Sequence, residues 1–281
     1  MKKDALSDRM KENYEKRART YLTRRTPVIL RLDGKAFHTF TKGFERPYDK
    51  VFHEAMNETM MYLCKNIQGC KLGYTQSDEI TLLLTDYDTL TTDAWFDYAV
   101  QKMCSVASSM ATMAFNRSFQ KAMTNWWNAN NSSNASVCEQ YQRYVNAYEK
   151  GAMFDCRCFN IPVNEVANCF VWRQQDATRN AIQMLGQTYF SHKQLDKKST
   201  SDIQDMLMLE KSINFNDMPT EFKRGVCCYK VVEQDEDVDI KDGYCPKSKW
   251  ILDKEIPIFS KDFNYIEKFC IFSWKTIKNV L

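Results

Sequence analysis

The sequence predicts an α+β fold, a ferredoxin-like βαββαβ sheet carrying additional helices. Three observations predict it. Strand patterns occur at 28–32 and 80–84 as apolar runs, at 71–76 as a short strand, and at 152–159 by alternation. Long stretches of helical periodicity separate the first run from the second and the third from the fourth. Glycine and proline are scarce, 8 and 6 in 281 residues, which disfavours a many-turned all-β chain.

Each element has a local reason. Residues 8–25 are charged and helix-compatible, and Thr26-Pro27 ends them, because the residue before a proline is driven out of helical space. Val28 to Leu32 reads as a buried strand. Pro47 suits a helix start, and Val51, Phe52, Ala55, Met56, Met60 and Leu63 form one apolar stripe, which predicts a helix over 48–66. Gly69 and Gly73 punctuate the approach to a hairpin of 71–76 and 80–84, with Ser77-Asp78-Glu79 at its turn. The longest helix is expected over 92–123, with Trp95, Ala99, Met103, Val106, Met110 and Met113 on one side. The polar stretch NWWNANNSSNAS at 125–136 is expected to be a loop. Alternation of Ala152, Phe154, Cys156 and Cys158 predicts the last strand. Residues 163–190 read as a helix with Phe170, Trp172, Ala177, Ile182 and Leu185 inward and Arg173, Gln174, Gln175 and Arg179 outward. No internal repeat is visible. Residues 1–190 then form an arm plus the sheet domain, and 191–281 an extension packed on it as one integrated unit.

The bulk numbers exclude several classes. With 44% hydrophobic residues the chain is not of disordered composition, and its length allows a real core. No run approaches the roughly 20 apolar residues of a membrane span. The start, MKKDALSDRMKENYEKR, lacks the apolar region of a secretory signal, so a cytoplasmic location and no membrane partner are expected. The 11 cysteines are odd in number and contain no C-x-x-C pair, which argues against a zinc module and a disulfide framework. Net charge is only +3, yet residues 1–25 hold nine Lys/Arg against four Asp/Glu. Further basic pairs stand at His192-Lys193, Lys197-Lys198 and Lys223-Arg224, while 233–239 (EQDEDVD) is acidic. The basic clusters suit a polyanionic partner.

The topology brings distant acids together. A right-handed crossover sets the first two strands parallel with the third between them. The hairpin turn then lies at the end of the sheet where the first strand finishes. Asp33 ends that strand, and Asp78 and Glu79 occupy the turn. Converging carboxylates repel unless cations or protons neutralise them. Mg²⁺ takes one or two carboxylates and completes its shell with water and phosphate, and two such ions serve in-line displacement at phosphorus. A ferredoxin-like sheet presenting paired acids in this way is the layout of a polymerase palm or a nucleotidyl cyclase. Gly34 lets the backbone come close to phosphate, and the amides of Lys35 to His38 approach a helix start suited to a triphosphate. Lys35, Lys42 and Arg46 add countercharge, and Phe37 and His38 are placed to flank a base. Singly, Asp-Gly and Ser-Asp-Glu are ordinary turn signals and Phe37 and Phe40 could be core; their joint fit to one topology points to chemistry.

Four blocks carry a resemblance: RLDGKAFHTFTKGFERPYD (31–49), QSDE (76–79), CFVWRQQDATRNAI (169–182) and KSINFNDMPTEFKRG (211–225). In these blocks the chain resembles the tRNA-histidine guanylyltransferase superfamily, most closely its bacterial and archaeal guanylyltransferase-like 3′–5′ RNA polymerases. The resemblance implies a polymerase-palm fold and a homotetramer acting on tRNA. It implies that Asp33 and Asp78 bind two Mg²⁺ with the Gly34 carbonyl as a further ligand, and that Glu79 is an accessory acid. Asp33, Gly34, Lys35, Ala36, Phe37, His38, Ser77 and Asp78 would hold the nucleoside triphosphate, with Arg46 near its phosphates and His38 and Asp49 near its base. Arg173, Gln174, Arg179, Asn180, Lys223 and Arg224 are the candidate RNA contacts. The family activates a 5′-monophosphorylated tRNA with ATP or GTP, after which the 3′-hydroxyl of an incoming nucleotide attacks the activated end.

Two departures shape the expectation. Eukaryotic members that guanylylate tRNA-His carry an H-I-N-N-L-Y-N stretch, where this chain has Thr178-Arg179-Asn180-Ala181-Ile182-Gln183-Met184. That favours template-dependent repair of truncated 5′ ends over obligatory guanylylation. A family lysine stands here as Arg46, a fork where lysine is a point charge. A cyclase or signalling-nucleotide synthase on the same palm would need no RNA and no match over 169–225. A non-catalytic tRNA-binding protein has no use for three acids facing a phosphate backbone.

Overall fold

The computed structural model describes residues 4–130, 134–232 and 248–270; the acidic run 233–239 lies outside them. A short helix α1 (Ala5–Met10) continues through a wide π turn (Lys11–Glu15) and a tight 3-10 turn to Ala18 and buries nothing. Strand β1 (Val28–Gly34) leads into one turn of helix, α2 (Phe37–Phe40), and then α3 (Lys50–Asn66). The hairpin β2 (Cys70–Gln76) and β3 (Glu79–Leu84) follows. Two long helices, α4 (Val100–Asn130) and α5 (Ala135–Lys150), precede β4 (Phe154–Asn160) and α6 (Val166–Tyr189). The rest comprises α7 (His192–Leu195), α8 (Thr200–Lys211), α9 (Thr220–Arg224), β5 (Val226–Val232), β6 (Ser248–Asp253) and α10 (Asn264–Glu267).

The sheet order is β4-β1-β3-β2-β5-β6, with every neighbouring pair antiparallel. Since β1 and β2 both oppose β3, they run parallel to each other, as the crossover rule requires. The first four strands are the expected βαββαβ sheet with added helices. Strands β5 and β6, which the sequence reading did not assign, extend it beyond β2.

Strand periodicity decides which side does what. Val28, Leu30 and Leu32 of β1, with Ile80, Leu82 and Leu84 of β3, face α3 and α4 and are fully buried with Met60, Leu63 and Phe115. Each such side chain contributes about 2 kcal/mol of burial. The alternate residues face the other way, where Ile29, Leu72 and Leu83 pack against Val166 and Phe170 of α6. Asp33 and Glu79 lie in this second set, on the α6 side.

Two expectations need correction. The helix predicted from 92 starts only at Val100, because Phe96, Asp97 and Tyr98 sit at φ of 51°, 52° and 56°, outside helical space. The loop predicted over 125–136 is helical to Asn130, with a new helix from Ala135 capped by Asn134. The helix continues because Ala122 and Met123 extend the buried stripe and Trp126 meets Tyr144 of α5 edge-on at 5.3 Å. The fully buried stripe runs Met103, Ala107, Ala111, Phe115 and Phe119, in steps of four through small alanines, with Val106 and Met110 packed at its margin. None of the cysteines among the described residues forms a disulfide.

Candidate active site

Asp33 sits at the end of β1 between two acidic neighbours, opposite Glu79 on β3 and Asp155 on β4. The Gly34 N–H donates to the Asp78 carbonyl at 3.0 Å, which ties the β2–β3 turn to the end of β1. The expected meeting of Asp33, Asp78 and Glu79 at one end of the sheet is therefore observed. A Cβ at Gly34 would lie 2.3 Å from the Phe37 ring, so only glycine fits. Ala36 (φ 55°) and Ser77 (φ 53°) flank the acids in the left-handed region without being glycine. Such strain is held in place by surrounding structure and collects at functional sites.

The electrostatics differ among the three acids. Burial, with the nearby charges of Asp33 and Glu79, pushes Asp78 up to about 6. Burial also raises Glu79, opposed by Arg173, which donates to its two oxygens at 2.6 and 2.8 Å. Glu79 is thus engaged in a fork–fork pair. Among the described residues, no group of three or more His, Cys, Asp or Glu converges to hold a metal ion. Asp78, whose carboxyl is raised by burial and by the charge of Asp33, nevertheless fits Mg²⁺, which needs one or two carboxylates and takes its other oxygens from water and phosphate.

A cavity of about 420 Å³ opens beside these acids. Gly34, Ala36 and His38 line one wall, Ser77 and Asp78 another, and Arg46 the rim. The amide of Lys35 is spent on the Met153 carbonyl at 2.9 Å, so the run of free amides begins at Ala36 and not at Lys35. Phe37 borders the cavity but is core: its ring packs 5.1 to 5.3 Å from those of Phe40, Phe115 and Phe154. His38 is exposed. Asp49 is buried and caps α3: it accepts from Phe52 N at 2.9 Å, Glu45 N at 3.0 Å and the Tyr144 hydroxyl at 2.8 Å. Residues not foreseen complete the cavity: Glu45, His53, Met184, Gln187 and Phe222. Ala181, Met184 and Gln187 lie at three-residue intervals on α6, a helical signal legible once that helix is placed over the sheet. Burial pushes His53 down to about 4, and its ring stacks on Tyr48 at 3.9 Å.

The candidate RNA contacts divide. Arg173 is committed to Glu79 and Asp176. Gln174, expected on the outward face, is 4% exposed; it donates to the Pro257 carbonyl and accepts from Phe259 N. Trp172, expected inward, is 49% exposed. The helical period places Gln174 about 40° from Phe170 and Trp172 about 200° from it, and residues 256–259 cover the Gln174 side. Asn180 is exposed. Arg179, Lys223 and Arg224 line a second cavity, of about 700 Å³.

A family model described as tRNAHis guanylyltransferase matches residues 7–162. A solved structure described as a bacterial tRNA(His) guanylyltransferase-like protein in complex with ATP is 43% identical to this chain, with a TM-score of 0.78, and covers 96% of this chain and 100% of its own. A second bacterial structure of that description, in complex with GTP, is 39% identical with a TM-score of 0.74 at the same coverage. A probable tRNA(His) guanylyltransferase of Dictyostelium discoideum is 22% identical over 251 residues, spanning 84% of this chain and 87% of its own.

Proposed function

The chain belongs to the tRNAHis guanylyltransferase family, a family of nucleotidyltransferases, and on that premise we propose that it adds nucleotides to the 5′ end of tRNA in the 3′–5′ direction. The observation that carries this reading is the meeting of Asp33 and Asp78 beside a cavity of about 420 Å³ walled by Gly34, His38 and Ser77. ATP or GTP is the nucleotide the reading assigns to that cavity, in line with the bound nucleotides of the two bacterial relatives.

In this reading Asp33 and Asp78 hold two Mg²⁺, whose chemistry is to offset phosphate charge and polarise phosphoryl oxygens. The chain's own residues do the rest. The Gly34 backbone, free of a Cβ, lets phosphate approach the end of β1. The amides of Ala36 to His38 face the triphosphate, and Arg46 adds a cation at the rim. Arg173 neutralises Glu79 and holds it beside Asp33, so Glu79 acts as a positioning acid. Repair of truncated 5′ ends is favoured over obligatory guanylylation by the divergent 178–184 stretch. The homotetramer, the cytoplasmic location and the division into a palm (1–190) and an extension (191–281) belong to the same proposal. No described helix is long and apolar enough to cross a membrane.

The test incubates wild type, Asp33→Ala and Asp78→Ala with 5′-truncated tRNA, labelled nucleotide and Mg²⁺. Labelled tRNA is expected from wild type only. Full activity in both variants overturns the assignment of the acids, and a cyclic product formed without RNA overturns the assignment of the substrate.

A further inference from the structure

Trp172 is a large aromatic residue left 49% exposed in the middle of a helix that is otherwise well packed. It lines the cavity of about 700 Å³, which shares no lining residue with the cavity beside Asp78. The polar lining includes the cations Arg179, Lys223 and Arg224 and neutral groups such as Gln175, Asn216 and Ser260, and among the described residues no carboxylate lines it. The guanidinium groups of Arg173 and Arg31 lie 4.5 and 5.5 Å from the indole centroid. Arg173 is anchored to Glu79 of the sheet, while Trp172 keeps its exposed surface on the cavity it lines. Arg31 is two residues before Asp33 on the same face of β1, about 7 Å along the strand.

Asp176 pairs with Arg179 at 2.6 Å and with Arg173 at 3.0 Å, which leaves Lys223 and Arg224 as cations without a carboxylate partner among the described residues. An exposed indole beside such cations is the composition that binds unpaired nucleotides, with the base stacked and the backbone neutralised. We propose that this cavity takes an unpaired nucleotide of the RNA whose 5′ end is extended, its base on Trp172 and its phosphates on Arg179, Lys223 and Arg224. The inference rests on the RNA-directed reading above and deepens it: it separates an RNA site from the nucleotide site by opposite flanks of α6. The absence of lining carboxylates disfavours a metal-bound triphosphate here, and a paired strand would keep its base edges and faces within the helix. Trp172 is a positioning residue, placing the RNA end near Asp33 without touching the reacting atoms.

The test uses the full chain, Trp172→Ala and Trp172→Phe. Removal of a stacked base contact corresponds to about a tenfold rise in KM for 5′-truncated tRNA in Trp172→Ala, with KM for ATP within about twofold of wild type and most of the loss restored in Trp172→Phe. A single-stranded oligoadenylate is expected to quench wild-type tryptophan fluorescence, with the quench lost in Trp172→Phe although five other tryptophans remain of the 6. An unchanged KM for tRNA in Trp172→Ala, or an equal quench of Trp172 by ATP alone, overturns the proposal. The oligoadenylate quench is measured without turnover, so a chain that stacks RNA but transfers no nucleotide would sink the catalytic reading and leave this one standing.

Discussion

Arg173 and Glu79, from α6 and β3, form a two-bond ion pair at 2.6 and 2.8 Å, with side chains only 13% and 17% exposed. Replacing Arg173 by methionine leaves a mostly buried carboxylate unpaired beside Asp33. The expected cost is about 3 kcal/mol at neutral pH, read by urea unfolding. Adding Glu79→Gln to Arg173→Met should recover much of the loss, since no charge is then stranded.

Asp78 gives a pH signature that needs no substrate. Its folded-state value, about 6, lies above the ordinary 3.8. A carboxyl raised in this way favours the fold below pH 4, and that contribution is lost as pH climbs through about 6. In EDTA, Asp78→Asn should therefore melt at a higher temperature than wild type at pH 8, with the gap closing below pH 4. A wild type that gains stability relative to the variant as pH rises would contradict the burial of this charge.

Gly34 is expected to tolerate no side chain. Gly34→Ala sets a methyl 2.3 Å from a Phe37 ring that is itself packed against three other phenylalanines. Overpacking of this kind costs roughly 2 kcal/mol. Thermal melts should show the loss, and Phe37→Leu in the same chain should relieve part of it.

Asp49 and Tyr144 separate a structural role from a binding role. Asp49→Ala removes the cap of α3 and strands the buried Tyr144 hydroxyl, at a cost of about 3 kcal/mol, whereas Tyr144→Phe removes one bond, at about 1 kcal/mol. If Asp49 serves the fold through this bond, Tyr144→Phe will leave the affinity for ATP unchanged in a titration.

The site was legible where strand periodicity and topology decide it. Asp33, Asp78 and Glu79 could be brought together from element order alone, because a βαββ unit admits few arrangements. What was hidden depended on the partner of a face. On a helical projection Gln174 lies about 40° from Phe170 and Trp172 about 200° from it, so periodicity sets Gln174 inward; residue type pointed the other way, and the partners that satisfy a buried Gln174, Pro257 and Phe259, come from a distant segment. Asp49 lines the cavity as read, but its bond to Tyr144 was hidden because the sequence cannot show Tyr144 arriving from α5. Strand β5 went unassigned because its partner β2 lies more than a hundred and fifty positions upstream, and β6 joins the sheet only through β5.

The pairing of β2 with β5 also bears on how the gene can be shortened. The family match ends at residue 162, yet a chain stopped there would leave the outer edge of β2 without Val226 to Tyr229. Unpaired amides and carbonyls on the edge of a seven-residue strand that is largely buried invite a second chain to add on, the route by which sheets aggregate. The opposite edge, β4, carries Asp155 and Arg157 outward and is guarded by its charges. The C-terminal ribbon is thus the sheet's own stopper, and a minimal soluble fragment of this protein has to include it.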